Sequence, residues 1–389
     1  VRAALVLTLF LAACVGEEPA VRHAAAAESA SGLCVAPGFW ATGAGRPLET
    51  AGLIARAARA PAVLLGEHHD SPEHHRWQLQ TIAAIHARNP DIAIGLEMFP
   101  RRAQPALDRW TAGQTGEAEF LRESDWDRVW GYPAELYLPI LHFARMNRIP
   151  LVALNVERAL VSRTAREGWA AIPAADREGV GNPARPTDAY LERLSEAMAA
   201  HGPGERQSAG FQRFVEAQSV WDRAMAERIA ETSHATGRTV VAIMGMAHVE
   251  GRNGVPHQLA DLGIADAVVL LPWEAARGCE DLDDGLADAV FGLGPVQGAE
   301  TPRPRLGVRL EDTAEGAVIR AVQAGGVADA AGLKPGDVVT AAAGTPVRRA
   351  ADLTAAVQRQ PPGTWLPLTI ARDRAVRDVV AKFPAAPGG

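Results

Sequence analysis

Five short apolar runs punctuate the first two thirds of the chain: Ala62–Gly66 (AVLLG), Ile92–Met98 (IAIGLEM), Leu151–Asn155 (LVALN), Thr239–Gly245 (TVVAIMG) and Ala267–Leu271 (AVVLL). Runs this short, rich in β-branched residues and Leu and without polar alternation, predict strands buried on both faces. Helical periodicity between them predicts helices over Glu73–Ala87, Ala134–Met146 and Gln212–His234. Strands alternating with helices predict an α/β fold with a largely parallel sheet and flanking helices. The interval from about 156 to 238 is too long for one crossover and predicts a helical insertion, with Gly202-Pro203-Gly204 as a loop inside it.

The α/β pattern spans 45–280. Residues 281–303 carry acidic residues, Gly and Pro without periodicity and read as an interdomain linker. Over 304–385 the pattern changes to short strands at Gly307–Leu310, Ala317–Arg320, Asp337–Thr340 and Leu366–Ala371, with a helix at Ala350–Arg359. This predicts a small β-rich second domain.

With 389 residues, 48% hydrophobic and 22% charged, the chain is neither wholly disordered nor a multispanning membrane protein. A net charge of −7 and the lack of a long basic run exclude nucleic acid as an expected partner. Lys334 and Lys382 are the only lysines, so the arginine excess reads as coding bias. Residues 1–14 (VRAALVLTLFLAAC) place one arginine before an apolar run too short to cross a bilayer, which is the pattern of a secretory signal. Leu11-Ala12-Ala13-Cys14 resembles the bacterial lipobox, which implies lipidation of Cys14, a membrane anchor and a tether over 15–44. Val15 is not aspartate, and by the enteric sorting rule this favours the outer membrane, facing the periplasm. In that oxidising compartment Cys34 and Cys279 are either one disulfide or two buried thiols.

Candidate chemistry gathers where the predicted strands end. Gly66-Glu67-His68-His69-Asp70 follows the first run, Glu97 closes the second, Asn155 the third, and Gly245-Met246-Ala247-His248 the fourth. In a parallel sheet the carboxyl ends of the strands form the binding crevice. His69, Glu97 and His248 are therefore the candidate catalytic and metal-ligating set: two imidazoles and a carboxylate suit a divalent transition metal with open positions. Without a metal, His69 could act as a base oriented by Glu97. His69 is preferred over His68 because its glycine lies three residues earlier, as in Gly245–His248. His74 and His75 read as residues that cap their helix or face solvent.

Two resemblances sharpen this reading. The segment 326–339 (GVADAAGLKPGDVV) resembles the bacterial PDZ signature of exported serine proteases. That implies a groove for peptide or protein C-termini, with Leu306, Gly307 and Val308 receiving the carboxylate and Leu310, Leu353 and Val357 lining the side-chain pocket. LLGEHHDSPEHHRWQLQ, GLEMFPRRAQPALDRW, Trp126–Pro139, VALNVERALV and IMGMAHVEG resemble the ChaN-like haem-binding uptake family, in a superfamily with Tiki and TraB proteins and erythromycin-esterase-like hydrolases. This resemblance implies an iron-regulated lipoprotein that binds haem as a homodimer, with Tyr132 and Tyr137 as candidate haem ligands. Similarity to Tiki-type peptidases implies instead a metal-dependent hydrolase built on the two Gly-x-x-His elements and Glu97. A third reading is a non-catalytic PDZ adaptor.

Overall fold

A computed structural model describes residues 33–199, 208–295, 304–313 and 316–385. The signal segment, Cys14, most of the tether, the Gly202–Gly204 loop and the end of the linker lie outside the described residues. Among the described residues no helix is long and apolar enough to cross a membrane.

The α/β domain is built on eight strands: β1 (Trp40–Ala41), β2 (Pro47–Leu48), β3 (Ala62–Glu67), β4 (Ile92–Pro100), β5 (Leu151–Asn155), β6 (Thr239–Gly245), β7 (Val268–Glu274) and β8 (Ala289–Leu293). Their order is β2-β1-β8-β7-β3-β6-β4-β5. The stretch from β8 to β5 is parallel, and the two-residue strands β1 and β2 add an antiparallel edge. Side chains alternate between two apolar layers, as a pleated strand requires. Val63 and Leu65 point to the face covered by helices Thr50–Ala57, Pro72–His86, Gln104–Thr111 and Leu138–Asn147. Leu64 points to the opposite face, covered by the long helix Ala209–Thr236 and by Val255–Asp261.

All five apolar runs form strands. Three expectations need correction. The segment 281–303 is not all linker: Ala289–Leu293 is β8, paired with β7, and four of its five residues are buried. The tether does not extend to residue 44, because Trp40 and Ala41 form β1 against β8. The helix expected over Ala134–Met146 is broken into a 3-10 turn, Ala134–Leu136, and a helix, Leu138–Asn147. Pro139 explains the break: it has no N–H to bond the Glu135 carbonyl and its ring would clash there, whereas in a first turn neither matters. Cys34 and Cys279 form a disulfide with Cα atoms 5.2 Å apart.

The second domain is an antiparallel sheet of β9 (Val308–Thr313), β10 (Gly316–Val322), β11 (Val338–Ala342), β12 (Thr345–Pro346), β13 (Trp365–Arg372) and β14 (Ala375–Lys382). The main path is β14-β13-β11-β10-β9, which leaves β9 on an edge, with β12 paired to β11. Ile319, Val339, Leu353, Leu366 and Ile370 fill its core. Buried Asp337 holds the Pro335-Gly336-Asp337 turn by accepting from the Lys334 amide at 2.8 Å and from Arg372 at 2.6 Å.

Candidate functional site

Strands β3, β6 and β4 are adjacent and parallel, so their carboxyl ends open onto one edge. His69 follows β3, His248 ends the 3-10 turn Met246–His248 after β6, and Glu97 lies within β4. At Glu97 the β4–β5 register is irregular between Leu96 and Pro100, a local distortion of the kind that re-aims a side chain. Glu97 Oε2 accepts the Gly245 amide at 2.5 Å, and Glu97 Oε1 lies 3.5 Å from His248 Nε2. A Cβ on Gly245 would sit 3.0 Å from His69 Cε1, 3.2 Å from His69 Nε2 and 3.6 Å from Glu97 Oε2. The glycine of the second Gly-x-x-His element thus makes room for the histidine of the first. His69, Glu97 and His248 converge on this glycine.

Each histidine is held by a second carboxylate. His69 Nδ1 is 2.8 Å from Glu67 Oε1, and His248 Nδ1 is 2.6 Å from Asp222 Oδ1. Carboxylates accept, so both rings carry a proton on Nδ1. In the neutral ring this leaves the Nε2 lone pair free. Tyr190 donates to Asp222 Oδ2 at 2.5 Å and Tyr137 donates to Glu67 Oε1 at 2.7 Å. Trp130 and Tyr132 flank His69, with ring centroids 4.5 and 5.2 Å away. The His69 side chain is 26% exposed, whereas the carboxylate holding it is buried.

Around Glu67 acceptors crowd His75. Gln78 Nε2 donates to the Leu65 carbonyl, which turns Gln78 Oε1 toward His75 Nδ1 at 3.2 Å. The same nitrogen is 3.1 Å from Glu67 Oε2, and His75 Nε2 faces the His69 carbonyl at 3.2 Å. With acceptors at both nitrogens, His75 is favoured as an imidazolium. Burial opposes that charge, but Glu67 outweighs it and the pKa of His75 is raised. Burial would push Glu67 up, yet its bonds and charge contacts with His69 and His75 lower it to about 2. His69 and His248 follow the same rule: burial lowers each, Glu67 and Glu97 more than compensate at His69, Glu97 and Asp222 at His248, and both end raised. Burial and the Glu67 charge push Tyr137 far above the usual phenol range.

The expected set is brought to one edge, with corrections of detail. Glu67, not Glu97, orients His69. Tyr137 is unsuited to ligate haem, because its hydroxyl is buried and donated to Glu67. Tyr132 is half-buried beside His69. His74 and His75 do not face solvent: both are buried. His68, His74 and Glu274 also bring ligand-type atoms within 4.8 Å of one another. However, His74 Nδ1 accepts the His68 amide at 2.8 Å, so its neutral ring carries the proton on Nε2, 3.0 Å from Glu274. That proton occupies the lone pair a metal would need. Burial, then the neighbouring His68, lower His74 to about 4, so it stays neutral. The cluster is a clasp on the end of β7.

Asp222 and Tyr190 were not singled out by sequence, and His75 was read only as a capping or solvent-facing residue. For Asp222 a signal existed: Val215, Ser219, Asp222, Ala226 and Ile229 recur at helical spacing on the buried stripe of the long helix. A carboxylate there needs a buried partner.

In the second domain, Leu306, Gly307, Val308, Leu310, Leu353 and Val357 all line a groove of about 510 Å³ between β9 and the helix Ala350–Gln358. Gly307 has a φ of +79°, the left-handed conformation that glycine adopts without strain.

The family model for haem-binding uptake proteins of the Tiki superfamily, ChaN, matches residues 53–259, and a PDZ model matches 304–382. The structure described as cofacial heme binding to ChaN of Campylobacter jejuni superposes with a TM-score of 0.53 at 18% identity, covering 65% of this chain and 95% of that one. Similar over the second domain are the HtrA-type protease AlgW with a decapeptide (22% identity, TM-score 0.21, covering 22% of this chain and 30% of that one) and the HtrA3 PDZ domain bound to a phage-derived ligand (18% identity, TM-score 0.19, covering 20% and 83%). No curated protein matches the chain.

Proposed function

Because this chain belongs to the ChaN family of haem-binding uptake proteins, we propose that it binds haem at the bacterial cell envelope, anchored through Cys14 and facing the periplasm. Its PDZ domain would capture peptide C-termini in the same compartment. The observation that carries the haem reading is the state of His69. Its Nδ1 is fixed by a buried carboxylate, its Nε2 is free, and it lies part-exposed between the rings of Trp130 and Tyr132. A haem ligand needs such a basic, oriented imidazole beside an apolar wall. His69 would hold the iron, with Tyr132 a second residue of ligating type beside its ring. Bound haem would supply an iron centre for storage or transfer. Titrating the full chain carrying Cys14→Ser with haem should give a saturable Soret shift that His69→Ala abolishes. An unchanged shift in His69→Ala would remove His69 from the haem site.

A second reading is favoured by a separate observation: two imidazoles, each with Nδ1 held by a buried carboxylate, stand with Glu97 at Gly245. His69, His248 and Glu97 offer the donor types a divalent transition metal takes. Their ligating atoms do not all lie within 4.8 Å of one another, so a metal would have to draw them together before it could supply water of pKa about 7 for hydrolysis. His248 is buried, so His248→Ala separates the readings. It should abolish metal uptake and any peptidase activity while leaving the haem Soret shift intact.

A further inference from the structure

The helical insertion contains two apolar clusters that do not merge. One gathers Trp169, Ile172, Val180 and Val220, and the other Tyr190, Leu194, Phe211 and Val215. A pocket of about 960 Å³ spans them, bounded by the first turns of the helix Ala209–Thr236 and by residues 169–186. None of its lining residues belongs to the His69–Glu97–His248 set. Its volume is that of a small-molecule site, and its walls are largely apolar with a few polar groups, as such sites require.

Of those polar groups, Gln212 stands beside Phe211, and Arg177, Asn182 and Glu216 bond at or next to Trp169. Ser219 is 4% exposed, lines the pocket, and its hydroxyl meets no hydrogen-bond partner among the described residues. A hydroxyl buried in this way is costly unless something else satisfies it. One turn earlier, Glu216 Oε2 accepts the Trp169 amide at 2.9 Å, which engages the one carboxylate of the lining. Arg177 lies over the Trp169 ring at 4.5 Å. Its guanidinium donates to the Ile172 and Trp169 carbonyls and to Asn182 Oδ1, all uncharged, and has no carboxylate partner among the described residues. Three of the donors of a guanidinium are thereby engaged and two are left. Arg185, on the rim, is exposed and carries a second positive charge. Leu191, Phe211 and Val215 form the apolar end.

We propose that this pocket binds an amphipathic carboxylate: an aliphatic chain along Leu191, Phe211 and Val215, its carboxylate met by Arg177 and Ser219. The charge fits, since two arginines face one engaged glutamate. The geometry fits as well: the unpartnered hydroxyl lines the same pocket one turn beyond Glu216, which bonds the Trp169 amide, and the uncompensated guanidinium lies over the Trp169 ring.

The test is calorimetric titration of the full chain carrying Cys14→Ser with laurate, dodecanol and dodecyltrimethylammonium. Laurate should bind one to one and at least ~10-fold more tightly than either of the others, the margin expected of a charge-assisted hydrogen bond. Ser219→Ala removes only the unpartnered hydroxyl, so it should fold normally and weaken laurate by ~10-fold. Ser219→Leu fills the space and should abolish laurate binding, with an unchanged circular dichroism spectrum and an intact melting transition of the α/β domain as the check on folding. Equal affinity for laurate and dodecanol, no laurate binding by the folded chain, or unaltered binding in Ser219→Ala would each overturn the proposal.

Discussion

Replacing Glu67 by Gln keeps the volume of the side chain and removes its charge, and the network around it fixes the outcome. The carboxylate takes His69 Nδ1 at 2.8 Å and the Tyr137 hydroxyl at 2.7 Å on one oxygen, and stands 3.1 Å from His75 Nδ1 with the other. A glutamine offers one acceptor and one NH₂ to these three donors. Wherever the NH₂ points, it meets a donor or forces an imidazole to give up its Nδ1 proton. His75 meanwhile keeps acceptors at both nitrogens but loses its counter-charge. Removing one partner of a buried pair costs about 3–5 kcal/mol. At roughly 2–4 °C per kcal/mol for a domain this size, the melting temperature should fall by ~6–20 °C. If His69 answers by moving its proton to Nε2, the lone pair facing the site is lost. Affinity for haem or Co²⁺ should then fall by ~10–100-fold, the usual effect of losing a carboxylate behind a ligating histidine. Thermal melting and ligand titration of the same sample read the two effects separately. A Glu67→Gln protein that melts like the parent and binds with equal affinity would refute the tautomer argument.

Four further outcomes follow from the same structure. Gly245→Ala should displace His69, because the new Cβ would stand 3.0 Å from its ring, and metal or haem titration should weaken while PDZ peptide binding is unaffected. Peptides with a free apolar C-terminus should bind the β9 groove and their amidated forms should not, as fluorescence anisotropy would show; equal binding would exclude Leu306–Val308 as the carboxylate site. Cys34→Ser with Cys279→Ser should destabilise the α/β domain by about 2–5 kcal/mol in denaturant melts, with little change in the PDZ domain. The fourth concerns pH. His74, whose pKa burial and the neighbouring His68 lower from the ordinary 6.5 to about 4, binds fewer protons folded than unfolded. Stability should therefore be lost as pH falls from about 6.5 to 4, by up to ~3 kcal/mol, and His74→Gln should flatten that slope.

Strands β3 to β7 could be read from the chain because each is buried on both faces, so its sequence is a nearly unbroken apolar run. The other strands could not. β8 is the five-residue run AVFGL inside an acidic, Gly-rich stretch, and β1 and β2 are two residues each, too short for any period. β14 (AVRDVVAK) is largely exposed, and its apolar residues come in pairs rather than alternating with polar ones. At the site, the repeated Gly-x-x-His spacing marked His69 and His248, while Glu97 followed from its place at a strand end. The residues that set their proton states were harder to see. Glu67 points inward beside His69 only because of the strand-exit turn, and Asp222 meets His248 through tertiary packing of the long helix. A lone aspartate in a helix reads as surface until its stripe is compared with its neighbours. His75 was misread for the same reason, since its helix buries it against Tyr137.

The Cys34–Cys279 bond also decides how the molecule bears tension. It closes a covalent ring whose 245-residue span holds β1 through β7, the inserted helices and the entire His69–Glu97–His248 edge. β8 and the PDZ domain leave that ring after Cys279, and the preceding chain leaves it at Cys34. A pull between an N-terminal anchor and a peptide held in the PDZ groove would pass through the sulfur atoms, whose Cα atoms are 5.2 Å apart, without crossing the parallel core. Only β8 lies on that force path. Under tug the molecule should yield by drawing β8 out from between β1 and β7, lengthening its reach while the site inside the ring stays assembled.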